Sequence, residues 1–192
     1  MSCRGRDLVI ALALLVCGSL ACQDTAEPPA VSEADLERAQ AILAPFKEQL
    51  VGELMGSLGE GEPENAIHVC RERAPEIAAQ LSVGGVEMGR TSHKTRNPAN
   101  APQPWVEPLL AAYLETPTDT KPRAVYVDES TVGYVEPIYV MSFCLSCHGT
   151  SVAPELLAEI QSVYPDDQAT GFRASDLRGL FWVTMPRVEK GV

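Results

Sequence analysis

"AVYVDESTVGYVEPIYVM", residues 124–141, decides the fold class. Two runs rich in β-branched and aromatic residues, Ala124–Val127 and Thr131–Val140, flank a tight Asp-Glu-Ser turn and read as strands. Downstream, "DLRGLFWVTMP" (176–186) reads as a final strand. Upstream, "VGGVEMGRTSHK" (83–94) reads as a strand after a glycine turn, with Val86 and Met88 on one face. Before that the pattern is helical. Ser32 serves as an N-cap, and Leu36, Leu43, Phe46, Leu50, Leu54 and Leu58 then recur at helical spacing. Pro45 is expected to kink or split this helix. A second helix is expected over Pro63–Leu81, where Ile67, Cys70, Ala74, Ile77 and Leu81 share one face. That spacing turns Cys70 inward and His68 outward. "WVEPLLAAYLE" (105–115) and Pro154–Val163 read as short helices, and "TRNPANAPQP" (95–104) as a loop. Helices come first and strands mostly later, which is the order of an α+β fold with an antiparallel sheet.

The chain has 192 residues, enough for one domain, and 45% of them are apolar. The formal net charge of −11 argues against a nucleic-acid partner. Arg4 and Arg6 precede an unbroken apolar run, Leu8–Val16, and the small residues Ser19 and Ala21 follow. Residues 1–21 therefore read as an export signal, too short to span a membrane. Cys22 follows "GSLA", which resembles a bacterial lipobox, with Ser19 standing where Leu is usual. The expected mature chain begins at a lipidated Cys22, with ordinary cleavage after Ala21 as the alternative. Residues 22–31 form a polar, Pro-containing tether, and residues 32–192 the folded domain. The expected location is periplasmic or extracytoplasmic, at a membrane surface through the lipid anchor.

Cys144, Cys147 and His148, in "CLSCHG" (144–149), have the order C-x-x-C-H. Two thiols at this spacing can add to the two vinyl groups of one porphyrin, and the adjacent histidine reaches the iron. Attachment of c-type haem follows export in bacteria, so the leader and the motif agree. A structural zinc site wants a second ligand pair, and the chain has no other C-x-x-C. A redox dithiol belongs in a βαβ unit, and the alternating pattern is missing. The reading is one covalently attached haem c, with His148 as one axial ligand. For the opposite position the sequence offers Cys70, His68, His93, Met55, Met88, Met141 and Met185. A buried free cysteine most often serves as a small hydrophobe, so the residues alone leave this choice open.

Four stretches carry a family resemblance: "ENAIHVCRERAPEIAAQLS" (64–82), "GRTSHKTRNPANAPQPWV" (89–106), "CLSCHG" (144–149) and "YPDDQATGFRASDLRGLFWV" (164–183). Together they resemble a family of exported single-haem c-type proteins with a PAS-like haem-binding domain, also found as the sensor module of bacterial kinases. The resemblance implies thioether bonds from Cys144 and Cys147, His148 as one axial ligand and Cys70 as the other. Ser175 departs from the family, which often has glycine before its Asp-Leu-Arg-Gly run.

A haem also brings two propionates. "RTSHKTR" (90–96) places Arg90, Lys94 and Arg96 in an otherwise acidic chain, and Arg96 or Lys94, with Arg178, are candidate partners. The alternative is a solvated loop. The expected function is redox or small-gas sensing through a His/Cys-ligated haem; the competing one is periplasmic electron transfer. Either implies a redox or signalling partner protein. No triad or paired-carboxylate pattern points to an enzyme.

Overall fold

A computed structural model of the chain describes residues 30–59 and 63–188. The expected export signal, Cys22 and most of the tether lie outside them. Helix α1 spans Glu33–Gly59. Its start follows from Ser32, whose Oγ accepts the Asp35 backbone N–H at 3.2 Å and donates to Asp35 Oδ2 at 2.8 Å. Asp35, Ala39, Leu43, Phe46 and Leu50 are buried along one side. Pro45 does not split α1. The apolar stripe is seated on the sheet on both sides of the proline, and that packing outweighs one lost backbone hydrogen bond.

Helices α2 (Pro63–His68) and α3 (Ala74–Leu81) are joined by a π-helical turn, Val69–Arg73. Its bond runs from the Ala74 N–H to the Val69 carbonyl, one residue longer than α-helical. Pro75 is the physical reason. It has no N–H for the Arg71 carbonyl, and its ring crowds that carbonyl in a regular α-turn. The Pro63–Leu81 segment is helical throughout, as its apolar spacing predicts, but its phase slips by one residue at Cys70.

Among the described residues, β1 (Glu87–Thr91), β2 (Arg123–Tyr126), β3 (Thr131–Tyr139) and β4 (Leu177–Pro186) form one antiparallel sheet in the order β1-β4-β3-β2. Alternation along the strands divides two cores. Val132 and Tyr134 of β3 and Val183 and Met185 of β4 face α1 and α3. Val135 of β3 and Leu180 of β4 face the opposite core, with Leu110 and Tyr113 of α4 (Glu107–Glu115). Gly133 lies where the Trp105 ring crosses β3, and a Cβ there would sit 2.7 Å from that ring.

Two short helices complete the fold. α5 (Leu145–His148) follows a 3-10 turn at Ser142–Cys144, and α6 (Pro154–Val163) lays Leu156 and Ile160 against Ile67. Ser175 is left-handed, with φ 69°, in the turn before β4. A Cβ is disfavoured there, so Ser175→Gly relieves strain that exceeds the added freedom of the unfolded chain. The expected gain is about 0.5–1 kcal/mol, read as a higher urea midpoint at unchanged slope.

Candidate functional site

The C-terminal half of α1, helix α2 with its π turn, the ends of β1 and β4, and α5 surround a cavity of about 210 Å³. Cys144, Cys147 and His148 all line it, and so does Cys70. The aliphatic wall comes from α1 and α2, through Leu50, Leu54 and Ile67. The polar wall comes from Arg90, Arg96 and Arg178. Among the described residues no carboxylate lines it.

The C-x-x-C-H stretch is helical, so its two cysteines lie less than one turn apart and pack differently. Cys147 packs with Ile67, Leu156 and Ile160, and Cys144 with Val140, Ala169 and Phe172. Both are free thiols. Burial pushes the Cys147 thiol up. His148 Nδ1 lies 2.6 Å from the Ala169 carbonyl oxygen. A carbonyl only accepts, so Nδ1 carries the proton and the neutral ring keeps Nε2 as its free lone pair. Burial, reinforced by Arg178 and Arg96, holds His148 well below the usual imidazole range, which keeps the ring neutral. Phe172 stands edge-on to the imidazole, with centroids 6.4 Å apart.

Of the seven candidates for the position opposite His148, Cys70 and Met141 line this cavity. His68 is exposed and 3.8 Å from Glu72. His93 is also exposed, and stacks edge-on against Phe172. Met55 is 45% exposed, while Met185 and Met88 are buried in the first core. Cys70 is half-buried, at the point where the helix widens. It also lines a second cavity of about 290 Å³, with Arg90, Asn97 and Asn100 on the shared wall. Cys70 thus stands between two spaces, and the π turn sets where along the helix it does so. Pro75→Ala restores an N–H for the Arg71 carbonyl and is expected to let the turn close to α-helical register. Stability should change by no more than about 1 kcal/mol. The labelling rate of Cys70 by a thiol reagent in the cofactor-free chain should change, and an unchanged rate would contradict the proline's role.

The basic residues separate. Lys94 does not line the cavity; its Nζ lies 5.0 Å from the Phe172 ring centroid and 3.4 Å from the Thr170 carbonyl. Arg96 is buried, so the solvated-loop alternative does not hold for it, and it forms an ion pair with Asp167 at 3.1 Å. Arg178 donates from Nη1 to the Lys94 carbonyl at 3.2 Å, and its buried Nε has no hydrogen-bond partner among the described residues. Burial, together with Arg90 and Arg96, brings Arg178 down to about 10, still a cation at neutral pH. Arg90 Nη2 reaches the Cys70 carbonyl at 3.3 Å.

Sequence reasoning missed Arg90 as a cavity residue, and also Asp167, Ala169 and Tyr164. Tyr164 is buried on the cavity wall, where burial and then the neighbouring Cys70 push its phenol up to about 12. "YPDDQATG" is polar enough to be a loop, but nothing local pairs its Asp167 with Arg96, 71 residues earlier.

The sequence profile of the Tll0287-like family matches residues 23–186. The crystal structure of the cyanobacterial heme-protein Tll0287 is similar to this chain with a TM-score of 0.61 and 27% sequence identity, covering 84% of this chain and 100% of that one. No curated protein sequence matches.

Proposed function

The chain belongs to the Tll0287-like family, and from that membership, joined to the cavity that gathers Cys70, Cys144, Cys147 and His148, we propose that it is an exported c-type haem protein with a non-catalytic role. The gathering of these four side chains on one wall-to-wall space is the observation that carries the reading. The heme-protein Tll0287, similar over its whole length, supports haem as the cofactor.

The residues present fit the group. An apolar wall from α1 and α2 suits a porphyrin face. Among the described residues the cationic wall has no carboxylate of its own and Arg178 Nε has no hydrogen-bond partner; two propionates would supply both missing charges and an acceptor. Cys144 and Cys147 would hold the porphyrin through thioethers, His148 Nε2 and Cys70 Sγ would bind the iron, and Arg90 and Arg178 would hold the propionates. When bound, such a group supplies a one-electron couple, which thiolate donation biases toward the ferric state.

The finer role we propose is redox or small-gas sensing in a PAS-like domain. The second cavity, which Cys70 also lines, supports it, because it would give the Cys70 side chain room for a second position. Electron carriage is the second reading. It is favoured by Met141, which lines the main cavity while 51% exposed, so that side of the cavity lies near the surface, within reach of a redox partner that would dock there. Export and lipid anchoring through Cys22 rest on the leader sequence.

The attachment is tested by expressing the full chain with a haem-attachment machinery and extracting it with acidified acetone. Haem absorbance should stay with the polypeptide. A colourless polypeptide would overturn the c-type reading.

A further inference from the structure

One polar network at the site contains no ligand candidate other than His148, yet it is closed on itself. Arg96 is 8% exposed. Its Nε donates to Asp167 Oδ1 and its Nη2 to Asp167 Oδ2, each at 3.1 Å. The same Nη2 donates to the Cys147 carbonyl at 2.7 Å and lies 3.5 Å from the Ala169 carbonyl. Asp167 Oδ1 accepts the Ala169 N–H at 2.8 Å. The Ala169 carbonyl, in turn, is the acceptor for His148 Nδ1–H. The residue that orients the imidazole is therefore held from both ends by one ion pair.

We propose that Arg96 and Asp167 are a positioning pair that fixes the orientation and the Nδ1 hydrogen bond of His148, and that Arg96 does not serve as a propionate partner. The inference rests on the haem reading above. Two observations and one general argument carry it. Asp167 does not line the cavity, and it reaches His148 through Ala169. Arg96 grips the carbonyl of Cys147, the residue before His148, so the backbone carrying the imidazole is fixed as well. A buried ion pair contributes little net stability by itself, which leaves its geometry to be explained. A carbonyl acceptor on one imidazole nitrogen fixes the ring plane and makes the other nitrogen a better donor.

The test uses the exported holoprotein and the variants R96K and D167E. Both keep the formal charge, so a uniform electrostatic effect is removed. Each should raise the midpoint reduction potential, because a weaker Nδ1 bond makes a poorer ligand. Each should also move the low-spin ferric EPR g-values in the same direction, since the imidazole plane turns. The double variant should shift no further than the larger single, because both break one network. A shift in R96K with D167E silent would mean that Arg96 acts on the cofactor directly, and silence in both would remove the pair; either result overturns the proposal. If the parent chain carries no haem, the haem reading fails separately. The pair is then judged in the cofactor-free protein by exchange of the His148 Nδ1–H, followed by NMR. Exchange about tenfold faster in either variant matches the loss of one hydrogen bond, and unchanged exchange contradicts the pair. Should neither variant fold, fast exchange of that proton in the parent chain contradicts it as well.

Discussion

The double variant Cys144→Ala/Cys147→Ala is expected to lose all haem that survives acidified acetone, while the parent chain retains essentially all of it. Neither thiol is in a disulfide among the described residues. They are free, they line the same cavity, and they sit on a 3-10 and α-helical turn that presents both to it. Neither removal opens the fold, because each side chain packs at the edge of its own cluster, Cys147 beside Ile160 and Cys144 beside Phe172. His148 and the arginines remain in the double variant. Haem added to the folded protein should still bind reversibly, which separates attachment from pocket formation. Persistence of extract-resistant haem in the double variant would refute the thioether assignment. Each single variant should keep one linkage and remain coloured.

Cys70→Ala has the second largest expected effect. Alanine removes the sulfur but leaves the helix intact, since its neighbours Val69, Ala74 and Ile77 hold it to α1 and the sheet. The variant should fold and keep its covalent haem. Its ferric spectrum should lose thiolate character and become that of a site with an open or water-filled position. Carbon monoxide should then bind the reduced form with no ligand to displace, so the binding rate should rise at least tenfold, a change of about 1.4 kcal/mol in the barrier. An unchanged ferric spectrum would return Cys70 to the role of a space-filling side chain. Met141, which also lines the cavity, would then become the ligand to test.

Most of the architecture was legible because it rests on local pattern. The leucine spacing from Leu36 to Leu58 and the Ser32 cap marked α1; the alternation around the Asp128–Ser130 turn marked β2 and β3; Pro154 marked the start of α6. The exceptions are long-range or backbone effects. Nothing local says that β4 is inserted between β1 and β3, because that pairing joins Glu87 to Thr184 and Thr131 to Pro186. Pro45 sits in an unbroken helix because packing on both sides of it overrides a local preference. Pro75 acts on the turn before it, and a plain 3.6-residue period runs straight through Cys70 without registering the slip.

The site divides in the same way. Residue type and spacing marked Cys144, Cys147 and His148, whereas Cys70 was singled out among seven candidates only by the family resemblance; the fold brings all four to one cavity. The supporting shell was not legible. The Ala169 carbonyl is a backbone atom with no sequence signature, and Asp167 meets Arg96 across a separation of 71 residues. The sequence offered Lys94, Arg96 and Arg178 as cations for a haem's propionates, but only the fold sorts them. It sets Lys94 outside the cavity and ties Arg96 to an acid, while Arg178 Nε has no hydrogen-bond partner among the described residues.

One measurement tests the central claim, a haem held between His148 and Cys70. Absorption spectra of the exported full-length protein are recorded ferric and ferrous, with and without carbon monoxide. Expected are a Soret band that stays with the denatured polypeptide, a ferric spectrum of thiolate–imidazole type, and a ferrous form that binds carbon monoxide. Absence of a Soret band after co-expression with the haem-attachment machinery would contradict the claim.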